Sequence, residues 1–581
     1  MLFISGRKFR RKLNSAICAN ITSEARRSQG NPHNDERTKF ISMASKESKR
    51  RSASGVKIKA ENGNGPELCK SDLQSNPHAG HNGEVTLDRS NDIMAPVAAL
   101  GHDFEVSRLT GDSLSGSTVI NGANPRSHYG RKTSSPMMPA FMVSAPGKVI
   151  VFGEHAVVYG KAAMAAAISL RSYLLVTTLS KSRRTITLRF PDISLDHTWD
   201  IDSLPWVNYS DPPKKKHYYD LVTSLDPDLV EAMQPHLSTV SPKSSDAVRK
   251  IHKAAASAFL YLFLSLGSQR CPACIYTLRS TLPIGAGLGS SASISVCLSA
   301  ALLLQIRTLA GPHPDQPQEE AEVQIERINR WAFVGEMCIH GNPSGVDNTV
   351  STGGKAVIFK RENYSKPPKV TPLRDFPELP LLLVNSRQPR STATEVAKVA
   401  ALKEAHPAVT ESMLDSIGKI TESAHELIAS HDYDQGDPAS IRKLGDLINM
   451  NHGLLVSLGV SHLKLERIRE LVDQTGIGWT KLTGAGGGGC AITLLKPGTD
   501  ATSLRDLESK LDAEGFERFE TTLGGDGVGV LWPAILRNGT DEEGGEEIDQ
   551  EKFLKADGRE GVEKLVGVGV QEQREGWKFW R

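Results

Sequence analysis

The stretch Leu282–Ala292, LPIGAGLGSSA, constrains the fold of this chain more than any other. Its three glycines alternate with small or apolar residues, and two serines follow directly. Upstream, Ala273–Arg279 alternates as a strand does, and downstream Ala292–Leu309 has the composition of a buried helix. The backbone N–H groups of a glycine loop can approach an anion closely, and a helix N-terminus favours negative charge. The sequence therefore predicts a strand, a phosphate-binding loop and a helix in succession.

The two most familiar phosphate-loop motifs do not fit this stretch. No lysine follows the last glycine, as a Walker A loop requires, and the spacing is not that of a Rossmann fingerprint. A simple tight turn does not need three alternating glycines. The loop resembles the phosphate loop of the GHMP kinases (galacto-, homoserine, mevalonate and phosphomevalonate kinases), Pro-x-x-x-Gly-Leu-Gly-Ser-Ser. The resemblance implies ATP binding by Lys148, Ser280, Gly285, Ala286, Gly287, Leu288, Gly289, Ser290 and Ser291.

Two further motifs narrow the resemblance to the mevalonate kinase family. The segments Ser144–Val149, SAPGKV, and Gly153–Val158, GEHAVV, look like the opening signature of that family. A galactokinase would show Gly-Arg-x-Asn and Gly-Glu-His-x-Asp-Tyr, and a phosphomevalonate kinase would lack the Glu-His pair. Gly341–Asn348, GNPSGVDN, is similar to the same family. The resemblance implies ATP-dependent phosphorylation of mevalonate to 5-phosphomevalonate.

The resemblance also implies roles for single side chains. Asp347 and Lys148 are the expected catalytic pair, with Asp347 accepting or orienting the proton of the attacking hydroxyl. Hard oxygen ligands suit Mg²⁺, so Ser291 and Glu336 are the expected metal ligands. The expected substrate-binding residues are Glu154, His155, Ser344, Arg390 and Thr392. Arg390 can hold a carboxylate through two N–H donors.

Simpler roles remain open for several of these residues. Lys148 could be a solvated lysine, and Glu154 and His155 could lie on the surface. Asp347 follows Ser344 by three residues at a new helix start, so it could be a capping residue. Whether Asp347 is a true base or an orienting group also stays open, because phosphoryl transfer through a loose transition state needs little help from a base.

The resemblance implies an α+β, two-domain GHMP kinase fold with the active site in the cleft between the domains. We expect a disordered N-terminal extension at 1–139, an N-terminal kinase domain at 140–375, a C-terminal kinase domain at 376–532 and an acidic C-terminal tail at 533–581. The extension is polar and poor in aromatic residues, as disordered segments are. Its basic start resembles a transit peptide; a solvated basic tail and a wrongly extended gene model are the alternatives. Lys481–Ala491 resembles the third GHMP motif, and we expect it to support the site by close backbone packing.

Composition excludes several classes of partner. The formal net charge of +2 indicates no nucleic-acid partner, and no apolar run approaches the roughly 20 residues of a membrane span. Seven scattered cysteines favour a reducing compartment, and we expect the cytoplasm. The family resemblance further implies a homodimer and inhibition by isoprenoid diphosphates. The alternatives are another GHMP small-molecule kinase and a catalytically dead GHMP-fold ligand sensor. A dead sensor would be expected to lack the lysine, the metal ligand or the aspartate, and this chain retains all three.

Overall fold

A computed structural model describes residues 138–180, 182–361, 368–536, 546–566 and 576–581. The described residues belong to one compact unit. The extension predicted at 1–139 lies outside them except for its last two residues. The domain boundary between residues 375 and 376 stays a prediction.

The described residues form strands and helices in alternating groups. The strands are β1 (Phe141–Phe152), β2 (Ala163–Thr178), β3 (Thr185–Phe190), β4 (Leu195–Asp200), β5 (Cys274–Ser280), β6 (Ala356–Lys360), β7 (Lys369–Leu373), β8 (Leu379–Asn385), β9 (Gly478–Leu482), β10 (Cys490–Leu495), β11 (Glu517–Leu523), β12 (Gly529–Leu531), β13 (Ile535–Leu536), β14 (Glu546–Glu547) and β15 (Lys578–Phe579). The helices are α1 (Trp206–Ser210), α2 (Pro227–Ser238), α3 (Asp246–Leu266), α4 (Ser290–Gln305), α5 (Gln318–His340), α6 (Val346–Gly353), α7 (Thr392–Ala405), α8 (Pro407–Ala429), α9 (Pro438–Ser457), α10 (Leu463–Thr475), α11 (Ala501–Ala513), α12 (Gln550–Lys555) and α13 (Gly558–Val566). Short 3-10 turns lie at Ala156–Tyr159, Pro191–Ile193 and Ile201–Ser203.

One large mixed sheet organises the unit, with strand order β15-β12-β1-β2-β11-β8-β10-β9. Strand β2 is 16 residues long and pairs antiparallel with β1. One end of β2 also pairs with β5 and the other with β6. A single pairing, Leu523 with Ile168, joins β2 to β11 and so connects the two halves of the sheet. Together with the packed helices, this confirms the α+β class.

Strands β1 and β2 are buried on both faces. Successive side chains of a strand point to opposite faces. Val143 and Leu174 accordingly pack in a cluster with side chains of α3, α4 and α5. Met142 and Tyr173 pack in a separate cluster that includes Phe553 and Trp577. The sheet therefore has helices on one face and the C-terminal segment on the other.

The C-terminal segment differs from the expected acidic tail at 533–581. In its described parts, Phe553, Trp577 and Trp580 are buried, and β15 pairs with β12. Residues 541–545, which include the first three acidic side chains of the run, lie outside the described residues. These apolar side chains, which follow the acidic run, attach the segment to the fold.

Among the described residues, no helix is both long enough and apolar enough to cross a bilayer.

Candidate active site

The predicted strand, glycine loop and helix are present at the phosphate loop. Strand β5 ends at Ser280 and α4 begins at Ser290. Gly285, Gly287 and Gly289 all have left-handed φ values, 77°, 79° and 72°, which only glycine adopts without strain. No side chain caps the start of α4, so its first N–H groups remain available to an anion.

The loop lies directly against β1. The Lys148 backbone N donates a hydrogen bond to the carbonyl oxygen of Leu288 over 2.9 Å. A Cβ placed on Gly147 would lie 2.8 Å from that same oxygen, so the contact needs a glycine. Pro146 and Gly147 lie within the continuous strand β1, where its register against β2 shifts between Pro146 and Lys148.

Lys148 and Asp347 form an ion pair beside this loop, with 3.3 Å between Nζ and Oδ1. The Lys148 side chain is 9% exposed and that of Asp347 is 32% exposed. Asp347 is the second residue of α6, whose first turn has no side-chain cap. The capping role is therefore not observed, and the Asp347 carboxylate lies partly open next to a nearly buried cation.

Ser291, at the start of α4, and Glu336, on α5, lie within hydrogen-bonding distance of each other. Burial raises the pKa of Glu336 to about 7, and a hydrogen bond with the Ser291 hydroxyl opposes that rise. Among the described residues, Glu336 Oε1 has no hydrogen-bond partner. His340, one turn further along α5, places Nε2 3.0 Å from Ser291 Oγ.

This donor set suits Mg²⁺. A buried carboxylate oxygen without a partner calls for an explanation such as an ion. Mg²⁺ is usually held by one or two carboxylates together with substrate phosphates. The described residues contain no cluster of three or more His, Cys, Asp or Glu side chains that could form an all-protein metal cage. Ser291 and Glu336, next to a phosphate loop, fit a site in which protein ligands hold the ion together with substrate phosphates.

Arg390 and His155 both reach the third glycine motif, between β9 and β10. Arg390 donates from Nη2 to the Ala286 carbonyl over 3.3 Å and from Nη1 to the Thr483 carbonyl over 3.4 Å. Burial lowers the pKa of Arg390. The guanidinium thus bridges two glycine loops.

His155 makes a hydrogen bond from Nε2 to the Ala485 carbonyl, 2.9 Å long. A carbonyl only accepts, so Nε2 carries the proton. Burial lowers the pKa of His155, which favours the neutral imidazole. Its Nδ1 is then an acceptor.

Glu154 has a different environment from the one expected for a substrate-binding residue. Its side chain and that of Lys481 are both 0% exposed, and the two form an ion pair. Asn451 Nδ2 donates to the other carboxylate oxygen, Glu154 Oε2, over 3.1 Å. Both oxygens are therefore occupied by protein groups, and the carboxylate is not available to a substrate.

The remaining expected residues lie at the ends of elements. Ser344 is exposed, and its hydroxyl accepts a hydrogen bond from the Val346 backbone N over 3.4 Å at the start of α6. Thr392 is exposed and is the first residue of α7. The Ser280 hydroxyl accepts from the Leu282 backbone N over 3.2 Å.

The third glycine motif packs closely around Arg390, as expected of a supporting element. A Cβ on Gly484 would lie 2.9 Å from Arg390 Nη1, and one on Gly489 would lie 2.7 Å from Nε. Cys490, which follows, directs Sγ toward the Ala286 carbonyl at 3.8 Å. The expected close backbone packing beside the phosphate loop is confirmed.

Sequence reasoning missed Lys481, Asn451 and His340. Lys481 offers the clearest signal, because lysine is almost never fully buried unless paired, and Lys481 stands in the apolar surroundings of a strand. Its partner is 327 residues away in sequence, and no local pattern identifies it.

Comparison with known proteins identifies the family of the chain. The family model described as "GHMP kinases N terminal domain" matches residues 250–355, and "GHMP kinases C terminal" matches residues 438–510. The chain is 72% identical over 465 residues to "Mevalonate kinase erg12" of Aspergillus fumigatus, covering 80% of this chain and 86% of that protein. The chain belongs to the mevalonate kinase family.

Two other members of the mevalonate kinase family extend the likeness. Identity is 68% over 459 residues to "Mevalonate kinase ERG12" of Gibberella zeae, covering 78% of this chain and 90% of that protein. Identity is 40% over 401 residues to "Mevalonate kinase" of Bos taurus, covering 68% of this chain and 96% of that protein. The phosphate loop lies within the match to the N-terminal domain model, and Lys481–Ala491 lies within the C-terminal match. The GHMP kinase fold predicted for a mevalonate kinase is confirmed.

Proposed function

We propose that this protein transfers the γ-phosphoryl group of ATP to the primary hydroxyl of mevalonate, forming 5-phosphomevalonate for isoprenoid and sterol precursor biosynthesis. The main observation behind this proposal is the Lys148–Asp347 ion pair, 3.3 Å apart, beside the glycine loop that precedes α4. The relatives named as mevalonate kinases, at up to 72% identity, support the choice of substrate.

ATP is bound through its phosphates by Gly285–Ser291 and the uncapped start of α4. Ser280, at the end of the strand that enters the loop, completes the proposed ATP site. Ser291 and Glu336 would hold Mg²⁺ with oxygen ligands, and a bound ion would supply positive charge to balance the phosphates of ATP.

Lys148 and Asp347 act on the two reacting groups. Phosphoryl transfer depends on positioning and on balancing charge more than on covalent chemistry. The Lys148 ammonium stabilises negative charge on the transferred group. The partly open Asp347 carboxylate binds the attacking hydroxyl and orients or accepts its proton.

Arg390 and His155 form the substrate side of the site. The Arg390 guanidinium lies next to the phosphate loop and binds the mevalonate carboxylate. The neutral His155 imidazole contacts a substrate hydroxyl, and Ser344 and Thr392 complete the pocket from the exposed ends of α6 and α7. Glu154 supports this side from within the protein.

Three wider proposals come from the family resemblance. The enzyme is a homodimer, it is inhibited by isoprenoid diphosphates, and it works in the cytoplasm. The five cysteines of the described residues are all free thiols, which fits a reducing compartment.

A coupled assay of ADP release with a panel of alcohols tests the function. Mevalonate should be the preferred substrate over galactose, homoserine and phosphomevalonate, in the presence of Mg²⁺. Equal or faster turnover of another member of the panel would assign the protein to another GHMP activity. Mevalonate binding by calorimetry without ADP release would identify a ligand sensor.

A further inference from the structure

An ion pair between Glu154 and Lys481 lies wholly inside the protein. Both side chains are 0% exposed. Lys481 Nζ also donates to the Leu482 carbonyl over 2.8 Å, and Asn451 Nδ2 donates to the second carboxylate oxygen of Glu154. None of these groups performs a step in the reaction proposed above.

Stability alone explains this pair poorly. Removing two charges from water costs several kcal/mol per ion, and well-packed apolar residues of similar size are often as stable. A fully buried pair is therefore better explained by a part of the structure that it holds in position. This pair attaches the turn that follows β1 to strand β9.

The segment that it fixes is a strained turn, Gly153–His155. Gly153 has φ 93°, and a Cβ there would lie 2.4 Å from Ala163 Cα. His155 has φ 60°, in the left-handed region that non-glycine residues seldom adopt. Such conformations cost about 1–3 kcal/mol and persist only where the surroundings enforce them.

Three contacts from one short segment enforce this turn. Lys481 binds Glu154, and Ala485 accepts the hydrogen bond of His155. Between them, the Thr483 hydroxyl accepts from the Ile150 backbone N over 3.1 Å and donates to the Ile150 carbonyl over 2.8 Å. The Thr483 carbonyl also accepts from Arg390. The segment from Lys481 to Ala485 is therefore in contact with both substrate-side residues, His155 and Arg390.

We propose that Lys481 is a positioning residue for the phosphorylation of mevalonate. It acts through Glu154, which it holds so that the strained turn presents His155 to the substrate. This inference rests on the function proposed above, in which His155 contacts mevalonate. Lys481 itself touches neither substrate nor nucleotide.

The test compares Lys481→Met with the double variant Glu154→Gln/Lys481→Met. Lys481→Met leaves a buried carboxylate without its counter-charge, so this variant should lose both stability and mevalonate affinity. The double variant buries no charge, and the amide that replaces the Glu154 carboxylate can still accept from Asn451. Its melting temperature should therefore recover toward the wild-type value. Its KM for mevalonate should stay raised about tenfold or more, as expected when a binding group is misplaced, while the KM for ATP stays within about twofold.

A purely structural role predicts a different result. If the double variant has a wild-type KM for mevalonate, Lys481 does not position the site. If the KM for ATP rises as much as the KM for mevalonate, the pair holds the fold in general, and the inference also fails. Lys510→Met, at a partly exposed lysine paired with Asp506 on α11, is the matched control and should change neither constant.

A milder variant covers the case in which the others do not fold. Asn451→Ala removes only the second contact of Glu154 and should raise the KM for mevalonate severalfold without changing that for ATP. An unchanged KM for mevalonate would contradict the inference. Failure of the wild-type enzyme to phosphorylate mevalonate would contradict the proposed function itself, whereas an active wild type with an unaffected double variant contradicts only the role of Lys481.

Discussion

Asp347 and Lys148 form one ion pair but have different surroundings. Lys148 is almost buried against the phosphate loop, whereas about a third of the Asp347 side chain is exposed, 32% against 9%. A buried cation suits a group that faces phosphate oxygens, and a more open carboxylate suits one that must meet an incoming alcohol. The asymmetry supports separate tasks for the two residues.

Asp347→Ala should lower kcat by about 10²–10⁴-fold while changing the KM for mevalonate little, because the carboxylate acts in the transition state. Steady-state kinetics beside a thermal melt checks this. Asp473→Ala, at an exposed aspartate paired with Arg469, is the control and should leave kcat unchanged. Near-normal turnover with about 1 kcal/mol of lost stability would make Asp347 a helix cap after all.

Glu336→Gln should produce a defect that lessens as Mg²⁺ is raised. The substitution keeps the shape of a buried side chain but weakens a metal ligand, so added metal restores occupancy. Titrating activity against Mg²⁺ checks this. Glu326→Gln, on an exposed part of the same helix, should show no Mg²⁺ dependence beyond that of the wild type. A Glu336→Gln defect that is constant across Mg²⁺ concentrations would exclude Glu336 as a ligand.

The family resemblance is enough to propose most of the candidate site. Lys148 and Asp347 lie in motifs that resemble those of the mevalonate kinase family, and the same resemblance implies Glu336 as a metal ligand. The motif around Glu154 suggests a substrate contact because it lies at the site, but its carboxylate is bound to Lys481, 327 residues away. Long-range partners of this kind depend on the tertiary fold and cannot be read from the sequence around either residue.

At the scale of elements, the two glycine loops converge on one side chain. Gly287 of the first loop and Gly489 of the second both lie against Arg390. The sequence predicts each loop separately, since alternating glycines permit left-handed backbone locally. It cannot predict that the loops share a guanidinium, because Arg390 comes from a third segment.

Gly285→Ala and Gly287→Ala should separate backbone strain from crowding of Arg390. Both glycines have nearly the same φ, 77° and 79°, so each alanine should cost about 1–2 kcal/mol in denaturant unfolding. A Cβ at Gly287 would lie 1.9 Å from Arg390 Nη2, whereas nothing lies within 4 Å at Gly285. Only Gly287→Ala should therefore raise the KM for mevalonate. An equal rise in both variants would show that Arg390 is not the cause.

At the scale of the whole molecule, the C-terminal segment completes the core. The face of β1 and β2 that carries Met142 and Tyr173 has Phe553 and Trp577 packed on it. The sequence suggests an acidic tail because the charged run at 541–547 dominates the local composition. The need for a cover on that face appears only when the sheet is assembled, which is why the sequence alone does not identify these aromatic side chains as anchors.

The same segment is attached next to the phosphate loop. Arg279, in the strand that enters the loop, donates from Nη1 to the carbonyls of Phe553 and Ala556 over 3.0 and 3.1 Å. Its Nε pairs with Asp192 at 2.9 Å, and Asp192 in turn accepts from the Ser280 backbone N over 2.7 Å. Loss of the segment should therefore affect the proposed ATP site as well as stability.

Deleting residues 546–581 should prevent stable folding, because it exposes one face of the central sheet. Trp577→Ala gives a graded version, expected to cost about 3–5 kcal/mol in denaturant unfolding. The folded fraction of Trp577→Ala should show a raised KM for ATP, since Arg279 and Ser280 lose support. If the 546–581 deletion has the melting temperature of the wild type, the sheet face needs no cover.

Deleting residues 1–135 is the control at the other terminus. The composition of residues 1–135 cannot bury enough apolar surface to offset chain entropy, so activity and melting temperature should be nearly unchanged. A loss of several degrees in melting temperature would show that the extension docks on the fold.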